Sequence, residues 1–208
     1  MNERSEVPIR LDRRTARREE TKAEIIAAAW GLVREQGLAG LNMRDLGARV
    51  GMKAQSLYSY FASKNDIYDA MFHQGYLACA AALAVGTDDE PDDPRQAAHR
   101  FFDFCTADPV RYQLLFQRTI PDFAPSPEAY AVAVHAYDQM GRRLAGIGVR
   151  DQATLDLWTA VLTGLTDQQI SNDPGGTRWT QLVDRAVDML MAEGRETTAN
   201  TITRNEKV

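Results

Sequence analysis

The feature that most constrains the fold is a pair of short helices predicted within residues 41–70. Asn42 suits a helix N-cap, and Asp45 three residues later places a carboxylate in the first turn. Gly51 permits the backbone of a tight turn, and a second short helix is predicted from Ala54 to Phe61. Two helices joined in this way form a helix-turn-helix, a motif whose second helix commonly enters the DNA major groove.

The second helix of this motif has one apolar face and several polar faces. Leu57 and Phe61 lie four residues apart and are predicted to be buried. The remaining side chains suit nucleic acid, since lysine pairs with phosphate or guanine, glutamine reads adenine, and hydroxyls bind phosphate. The predicted DNA-contacting residues are Arg44, Lys53, Ala54, Gln55, Ser56, Tyr58, Ser59, Tyr60 and Lys64. Spacing alone also allows a small three-helix unit with a polar surface helix.

The run MRDLGARVGMKAQSLYSYFASKNDIYDAM, over residues 43–71, resembles the N-terminal domain of TetR-family transcriptional regulators. The matching features are Arg44-Asp45-Leu46, Gly51, Leu57-Tyr58-x-Tyr60-Phe61, and Ser63-Lys64 before an apolar helix. The resemblance extends over about residues 20–72. It implies a double-stranded operator of near-palindromic sequence, and a helical C-terminal domain that dimerises and holds a small-molecule effector.

Two positions depart from the pattern of that family. Lys53 stands where the family usually has Ser or Thr, and Gln55 stands where it often has Gly. The first departure removes a capping oxygen, and the second adds a side chain that can read a base. We therefore expect these two residues to determine the operator preference of this chain.

The distribution of charge agrees with DNA binding at the N-terminal end, although the net charge is −5. Residues 1–70 carry 12 Lys and Arg against 10 Asp and Glu, whereas residues 71–208 carry 12 against 19. Acidic residues repel the DNA backbone and would direct the basic end toward it. An arginine-rich, disordered arm is predicted over residues 1–16, either contacting DNA or serving as a solvated tail.

The remaining chain reads as helical, with no alternating strand pattern. The predicted fold is all-α. It comprises a helix-turn-helix domain at 17–63, a connecting helix at 64–85, and a ligand-binding and dimerisation domain at 86–193. The first of these domains begins with a helix from about Arg17 to Gln36. The stretch GTDDEPDDP at 86–94 marks the boundary. Further helices are predicted at about 94–107, 109–118, 127–146, 152–171 and, capped by Thr177, up to about Glu193. A disordered tail is predicted over residues 194–208.

The last two predicted helices are apolar on more than one face, which suggests that each packs against two surfaces. One surface is the chain's own domain, and the other is a second copy in a homodimer. The predicted interface comprises Leu165, Ile170, Trp179, Leu182, Val183, Ala186, Val187 and Leu190. The alternative is that these helices lie at the centre of a monomeric core.

Aromatic residues are frequent from residue 101 to 158, and they predict a cavity for an apolar or aromatic ligand. The predicted cavity residues are Phe101, Phe104, Tyr112, Phe116, Tyr137, Met140, Trp158 and Leu162. Polar contacts are expected from Arg111, Arg118, His135, Gln168 and Gln169. The alternative for each of these residues is an ordinary place in a packed core.

No catalytic, metal-binding or cofactor-binding motif is present in the sequence. The three histidines lack the spacings of zinc or di-iron sites, and no nucleophile elbow or phosphate-binding loop occurs. Cys79 and Cys105 are expected to be reduced core residues, with a redox-sensing pair as the minor alternative. No run is long enough to span a membrane. The predicted function is a cytoplasmic, ligand-responsive regulator, most simply a repressor released by its effector; the alternatives are a regulator controlled by a protein partner and, more remotely, an all-helical enzyme.

Overall fold

The computed structural model describes residues 9–84, 93–147 and 149–205, so most of the predicted boundary at 86–94 lies outside the described residues. Every regular element in the described part is helical, which confirms the all-α prediction. The α-helices are α1 (Ile9–Gln36), α2 (Met43–Arg49), α3 (Ala54–Leu57), α4 (Lys64–Leu83), α5 (Pro94–Thr106), α6 (Pro109–Phe116), α7 (Pro127–Gly146), α8 (Gln152–Asn172) and α9 (Val183–Asn205). Short 3₁₀ helices lie at Leu38–Gly40 and Thr180–Leu182. None of the described helices is both long and apolar enough to cross a membrane.

Contacts divide the chain into two compact units. The first extends to Phe72 and includes Arg118–Pro125, and the second comprises His73–Gln117 and the chain from Ser126 onward. The core of the first unit contains residues of α1, α2, α3 and α4 that are fully buried: Ile25, Ala29, Val33, Leu46, Leu57, Ile67, Tyr68 and Met71. The hydroxyl of Tyr68 donates to the backbone oxygen of Leu38 at 2.5 Å, so this buried polar group is satisfied.

Side-chain caps determine where four of the later helices begin. Asp93, Asp108 and Ser126 each accept a hydrogen bond from a first-turn N–H, and each precedes a proline at the first helical position. Asp151 accepts from the N–H of Thr154 at 2.8 Å and starts α8 in the same way. The first N–H groups of a helix have no partner within it, and proline at the first position has no such group. The cap and the proline together therefore determine where the helix starts from residues next to each other in sequence. The predicted starts at 94, 109, 127 and 152 are confirmed.

Both ends of the described chain are more helical than predicted. The helix α1 begins at Ile9, not at about Arg17, because no glycine or proline separates Pro8 from Gly31 and the intervening Arg and Glu residues favour helix. The predicted tail at 194–208 is likewise helical as far as Asn205. Gly194 does not end the helix. It is a close-packing position instead, because a Cβ there would lie 3.1 Å from Cγ2 of Val149.

The helix α9 starts at Val183, not after Thr177, because a buried side chain from α8 holds the preceding loop. Gln169 is 3% exposed, and its amide nitrogen donates to the backbone oxygens of Asp173 and Gly176. Its amide oxygen accepts from the N–H of Trp179 at 3.0 Å. These bonds fix residues 173–179 as a loop around Gly175, whose φ is +76°.

The core of the second unit lies between α5, α8 and α9. Its buried residues are Ala98, Phe102, Leu144, Val149, Trp158, Leu162, Val183, Val187, Leu190 and Met191. Met140 and Leu155 pack against this cluster while remaining partly exposed. Part of the cluster extends into the wall of a cavity.

Candidate DNA-binding surface and ligand cavity

The helix-turn-helix is built by the local bonds that the sequence predicts. The N–H of Asp45 donates to Oδ1 of Asn42 at 2.9 Å, which confirms Asn42 as the cap of α2. Gly51 has a φ of +68°, and the N–H of Met52 donates to the backbone oxygen of Gly47 at 2.8 Å. A Cβ at Gly47 would lie 2.7 Å from the carbonyl oxygen of Met52, so only glycine allows this close turn.

The helix α3 is shorter than predicted. It ends at Leu57, and residues 58–60 continue as a turn in which the hydroxyl of Ser59 donates to the backbone oxygen of Ser56 at 2.7 Å. Such back-bonding by serine competes with helical hydrogen bonding. Lys53 precedes α3 and makes no side-chain cap bond, as its chemistry predicts. The next helix, α4, is capped by Ser63, which accepts from the N–H of Asp66.

Most of the predicted DNA-contacting residues are exposed in the isolated chain. The exposed ones are Arg44, Lys53, Gln55, Ser56, Tyr58, Ser59 and Lys64, whereas Ala54 and Tyr60 are half-buried. Tyr58 is 52% exposed, which is unusual for a large aromatic residue in a small unit. Leu57 is fully buried beneath them and anchors α3 to the core. The structure thus places a polar, hydroxyl-rich surface on α3 and the turn after it, flanked in sequence by cations on α2 and α4.

Arg18 of α1 also contacts this surface, and sequence reasoning missed it. One guanidinium nitrogen donates to the backbone oxygen of Ser59, and the guanidinium carbon lies 5.0 Å from the ring centroid of Tyr60. A second link between helices joins Arg49 to Glu35 at 2.5 Å. The arginine cluster before residue 19 is visible in the sequence, but its partners are more than 40 residues away and carry no local signal.

The second unit contains a cavity of about 200 Å³. Six of the eight predicted residues line it: Phe101, Phe116, Tyr137, Met140, Trp158 and Leu162. The other two predictions are wrong. The ring of Phe104 instead packs against Arg111, whose guanidinium carbon is 3.7 Å from the ring centroid, and the hydroxyl of Tyr112 donates to the backbone oxygen of Thr163 at 3.0 Å.

Phe116 organises the aromatic wall of the cavity. The ring centroids of Tyr76, Phe101 and Tyr112 lie 5.7, 5.4 and 5.6 Å from that of Phe116. Tilted and edge-to-face pairs at these distances are favourable. The sequence did not indicate the contribution of α4, whose Tyr76, Cys79, Ala80 and Leu83 all line the cavity.

The polar groups at the cavity differ from those predicted. Arg111, Arg118, His135, Gln168 and Gln169 are absent from its lining, and Arg111 donates instead to the backbone oxygen of Phe104 at 2.7 Å. The residues with polar side-chain atoms in its lining are instead Tyr76, Tyr137, Gln139, Arg143 and Thr159. The sequence did not single out Arg143 as a cavity residue, because the adjacent Arg142 is also an arginine in the same stretch of predicted helix.

Both cysteines are buried thiols, and Cys79 lines the cavity. Burial raises the pKa of Cys79 to about 11, and burial also raises the pKa of Cys105. Both side chains are therefore protonated thiols near neutral pH and poor nucleophiles. Among the described residues, no group of three or more His, Cys, Asp or Glu side chains could hold a metal ion.

The predicted dimer interface needs correction at three positions. Val183, Val187 and Leu190 are 0%, 1% and 7% exposed within a single chain, because they form its own core. Of the other five, Leu182 is 37% exposed, and Leu165, Ile170, Trp179 and Ala186 are half-buried. The same two helices expose two apolar side chains that were not predicted, Leu157 at 47% and Met189 at 65%.

Comparison with known proteins agrees with this geometry. Residues 25–71, which contain the helix-turn-helix, match the family model described as bacterial regulatory proteins, tetR family. The N-terminal part of the chain is therefore similar to proteins of the TetR family. This family consists of transcriptional regulators and not of enzymes, in agreement with the prediction from sequence.

Two curated relatives illustrate the extent of the similarity. An HTH-type transcriptional regulator of Mycobacterium tuberculosis is 24% identical over 127 residues, which are 59% of this chain and 54% of that protein. The HTH-type transcriptional activator FasR of Mycolicibacterium smegmatis is 28% identical over 117 residues, 55% of this chain and 52% of its own. The chain thus matches only about half the length of these curated relatives.

A solved structure extends the likeness to the second unit at the level of the fold. The fatty acid degradation regulator FadR from Bacillus halodurans aligns with a TM-score of 0.63 and 15% identity. The alignment covers 82% of this chain and 94% of the FadR chain. At this identity the similarity concerns the fold alone, and it includes the helical second unit.

Proposed function

We propose that this chain is a homodimeric transcriptional regulator of the TetR family that binds a near-palindromic operator and is released from it by a small effector. The observation that carries the proposal is the exposed polar surface of α3 on a helix-turn-helix of this family. Two such helices in a dimer would meet successive major grooves, about 34–36 Å apart. The remaining exposed apolar side chains of α8 and α9, including Met189, support a dimer through these helices.

The proposed roles of the DNA-contacting residues follow from their chemistry. Gln55 is exposed and has an amide that can pair with N6 and N7 of adenine, so we assign it to base reading. Lys53 lies at the start of α3, where a cation reaches phosphate or guanine. Lys64 begins α4 and is exposed, with its ammonium 5.6 Å from the ring centroid of Tyr68, so we assign it to the DNA backbone.

Selection of bound sequences from a random DNA pool, carried out with the whole chain, tests this proposal. We expect a near-palindromic consensus. Gln55→Ala should relax the preference at one base position in each half-site, because it removes a direct base contact worth about 1–3 kcal/mol. Lys64→Ala should instead weaken binding to all sequences alike and reduce the salt dependence by about one charge.

Gln181→Ala provides a matched control, because Gln181 is exposed and lies in the second unit. This variant should retain the wild-type consensus and affinity. If Gln55→Ala and Lys64→Ala both weaken all sequences equally, Gln55 reads no base. If the wild-type chain enriches no sequence at all, the proposed function is wrong.

The cavity provides the proposed route for an effector. Four of its lining residues lie on α4, the helix that directly follows the helix-turn-helix in the chain. A ligand that fits one arrangement of α4 better than another would shift the dimer away from its DNA-binding state, with a coupling free energy of about 1–3 kcal/mol. Release from a repressed promoter is the simplest outcome. The relative FasR is named an activator, so a promoter–reporter assay must determine the sign.

A further inference from the structure

The wall of the cavity in the second unit is rich in aromatic side chains. Among the described residues, the lining includes Tyr76, Phe101, Phe116, Tyr137 and Trp158, together with the thioether of Met140. Aromatic pairs contribute about 0.5–1.5 kcal/mol beyond the area that they bury, and a thioether also packs favourably against a ring. A ligand that carries an aromatic ring would therefore gain more from this wall than a saturated ligand that buries the same area.

The two tyrosine hydroxyls of this wall form hydrogen bonds within the protein. The hydroxyl of Tyr76 donates to the backbone oxygen of Leu115 at 3.2 Å. The hydroxyl of Tyr137 donates to the carboxylate of Asp156 at 2.8 Å and accepts from the side-chain amide of Gln152 at the same distance. A phenol has a single O–H to donate. Neither hydroxyl therefore has a proton left to donate to a ligand.

The polar side chains of Thr159 and Gln139 are also engaged within the protein. The hydroxyl of Thr159 donates to the backbone oxygen of Leu155 at 3.1 Å, and the amide nitrogen of Gln139 lies 2.8 Å from Nε2 of His135. The thiol of Cys79, which also lines the cavity, is only a weak donor. A ligand that is recognised through several hydrogen bonds, such as a sugar, would have to break existing bonds in order to bind.

Arg143 is the one charged residue in the described part of the lining, and it is engaged as well. A guanidinium nitrogen donates to the backbone oxygen of Leu83 at 2.6 Å, and Arg143 takes part in a further interaction with the protein. An anionic ligand would have to draw the guanidinium away from these partners, and it would lose its own hydration on entering an apolar wall. A cationic ligand would lose its hydration too, and no carboxylate of the described lining would pair with it. The wall therefore favours a ligand without charge.

We infer that the ligand of this cavity is a small neutral aromatic molecule, with its ring packed against Phe116 and Trp158. This inference rests on the effector role proposed above and specifies the chemical class of the ligand. The deepest part of the wall is apolar, since Leu144, Trp158 and Leu162 are 3–4% exposed. An apolar cavity of about 150 Å³ holds benzene. The cavity of about 200 Å³ therefore fits one ring with a short side chain.

Calorimetric titration of the whole chain with four matched probes near neutral pH tests the inference. The probes are the neutral 2-phenylethanol, the anion phenylacetate, the cation 2-phenylethylamine, and 2-cyclohexylethanol, in which the ring is saturated. We expect 2-phenylethanol to bind with a Kd about tenfold or more below that of either charged probe, because burying an unpaired charge is unfavourable. After each affinity is divided by the octanol–water partition coefficient of the probe, 2-phenylethanol should exceed 2-cyclohexylethanol by roughly threefold or more.

Filling the cavity identifies it as the site of binding. Ala133 on α7 lines the cavity and is 8% exposed, so a leucine there would occupy part of its volume. Ala133→Leu should raise the Kd of 2-phenylethanol about tenfold or more. Ala131→Leu is the matched control, because it adds the same atoms at an exposed position of α7 outside the lining, and it should leave the Kd unchanged. Ala136→Leu, at a half-buried lining position, provides the same test if Ala133→Leu does not fold.

The outcomes separate this inference from the proposed function. Four results would each overturn the ligand class: no binding of 2-phenylethanol, equal or tighter binding of a charged probe, no preference for the aromatic ring, or unchanged binding in the folded cavity-filling variants. If a charged probe binds more tightly and releases operator DNA, the ligand class is wrong but the proposed function stands. If 2-phenylethanol binds in the cavity and DNA affinity does not change, the ligand class stands and the effector role is wrong.

Discussion

At the scale of single residues, Arg18 links α1 to the turn that follows α3, the helix proposed to read DNA. Its guanidinium donates to the backbone oxygen of Ser59 and lies over the ring of Tyr60. Both of those residues belong to the turn that directly follows α3. Arg18 can therefore position the turn that we propose contacts DNA.

We predict that Arg18→Met weakens operator binding about fivefold, which corresponds to about 1 kcal/mol, the net contribution of one ordinary hydrogen bond. Fluorescence anisotropy with labelled operator, measured over a range of salt concentrations, would check this. A positioning residue should leave the salt dependence unchanged, whereas loss of a phosphate contact should reduce its slope by about one charge. Arg17→Met is the control, because Arg17 is the exposed neighbour of Arg18 on α1. An equal loss in both variants would mean that α1 contributes only general positive charge.

At the scale of secondary-structure elements, Asp151 determines how α8 begins. Its carboxylate accepts from the N–H of Thr154 at 2.8 Å, and this bonding holds the pKa of Asp151 below its usual value. A carboxylate whose pKa is lowered by folding stabilises the folded state above its unfolded pKa, about 3.9, and that stabilisation disappears as the pH falls through the folded value.

We predict that Asp151→Ala lowers the free energy of unfolding by about 1 kcal/mol near neutral pH. Urea unfolding of the variant and the wild type at several pH values would measure it. The difference should shrink below about pH 4 as the wild-type carboxylate becomes protonated. Asp151→Asn, which can still accept at the cap, should lose less at neutral pH. A difference that grows on acidification would contradict the proposed role of the ionised cap.

These elements also explain what the sequence could and could not predict. Helix starts at Asp93, Asp108, Ser126 and Asp151 were predictable because each cap bonds to the N–H of a residue two or three positions ahead. The start of α9 was not, because Gln169 acts on a loop up to ten residues away. The same limit applies at the cavity, where composition predicted the aromatic side chains but gave no indication that Arg143, and not Arg111, would join them.

At the scale of the whole molecule, the last two helices retain apolar side chains that one chain does not bury. Leu157 on α8 is 47% exposed, and Met189 on α9 is 65% exposed. Gly164 on the same α8 has no heavy atom within 4 Å of a Cβ placed on it, so its side is open. Small and apolar residues of this kind allow two helices to approach closely. The proposed homodimer would cover them.

We predict that the double variant Leu157→Glu, Met189→Glu is a folded monomer, because burying two unpaired carboxylates in an interface is strongly unfavourable. Light scattering at micromolar concentration should give half the wild-type mass, while circular dichroism should remain the same. Val134→Glu is the control, since it also places a glutamate at an exposed apolar position, 44% exposed on α7. A wild-type chain that is already monomeric would refute the dimer.

The hydrogen bonds of Gln169 bear on how dimer assembly and DNA binding, both proposed above, would each depend on salt concentration. The corner between α8 and α9 is held by an uncharged amide that has no proton to lose or gain in the physiological range. Contacts to phosphate, by contrast, weaken steeply as ionic strength rises. A dimer assembled on α8 and α9 should therefore persist in concentrated salt after the operator has dissociated. Raising the salt concentration would then separate dimer assembly from DNA recognition without any mutation.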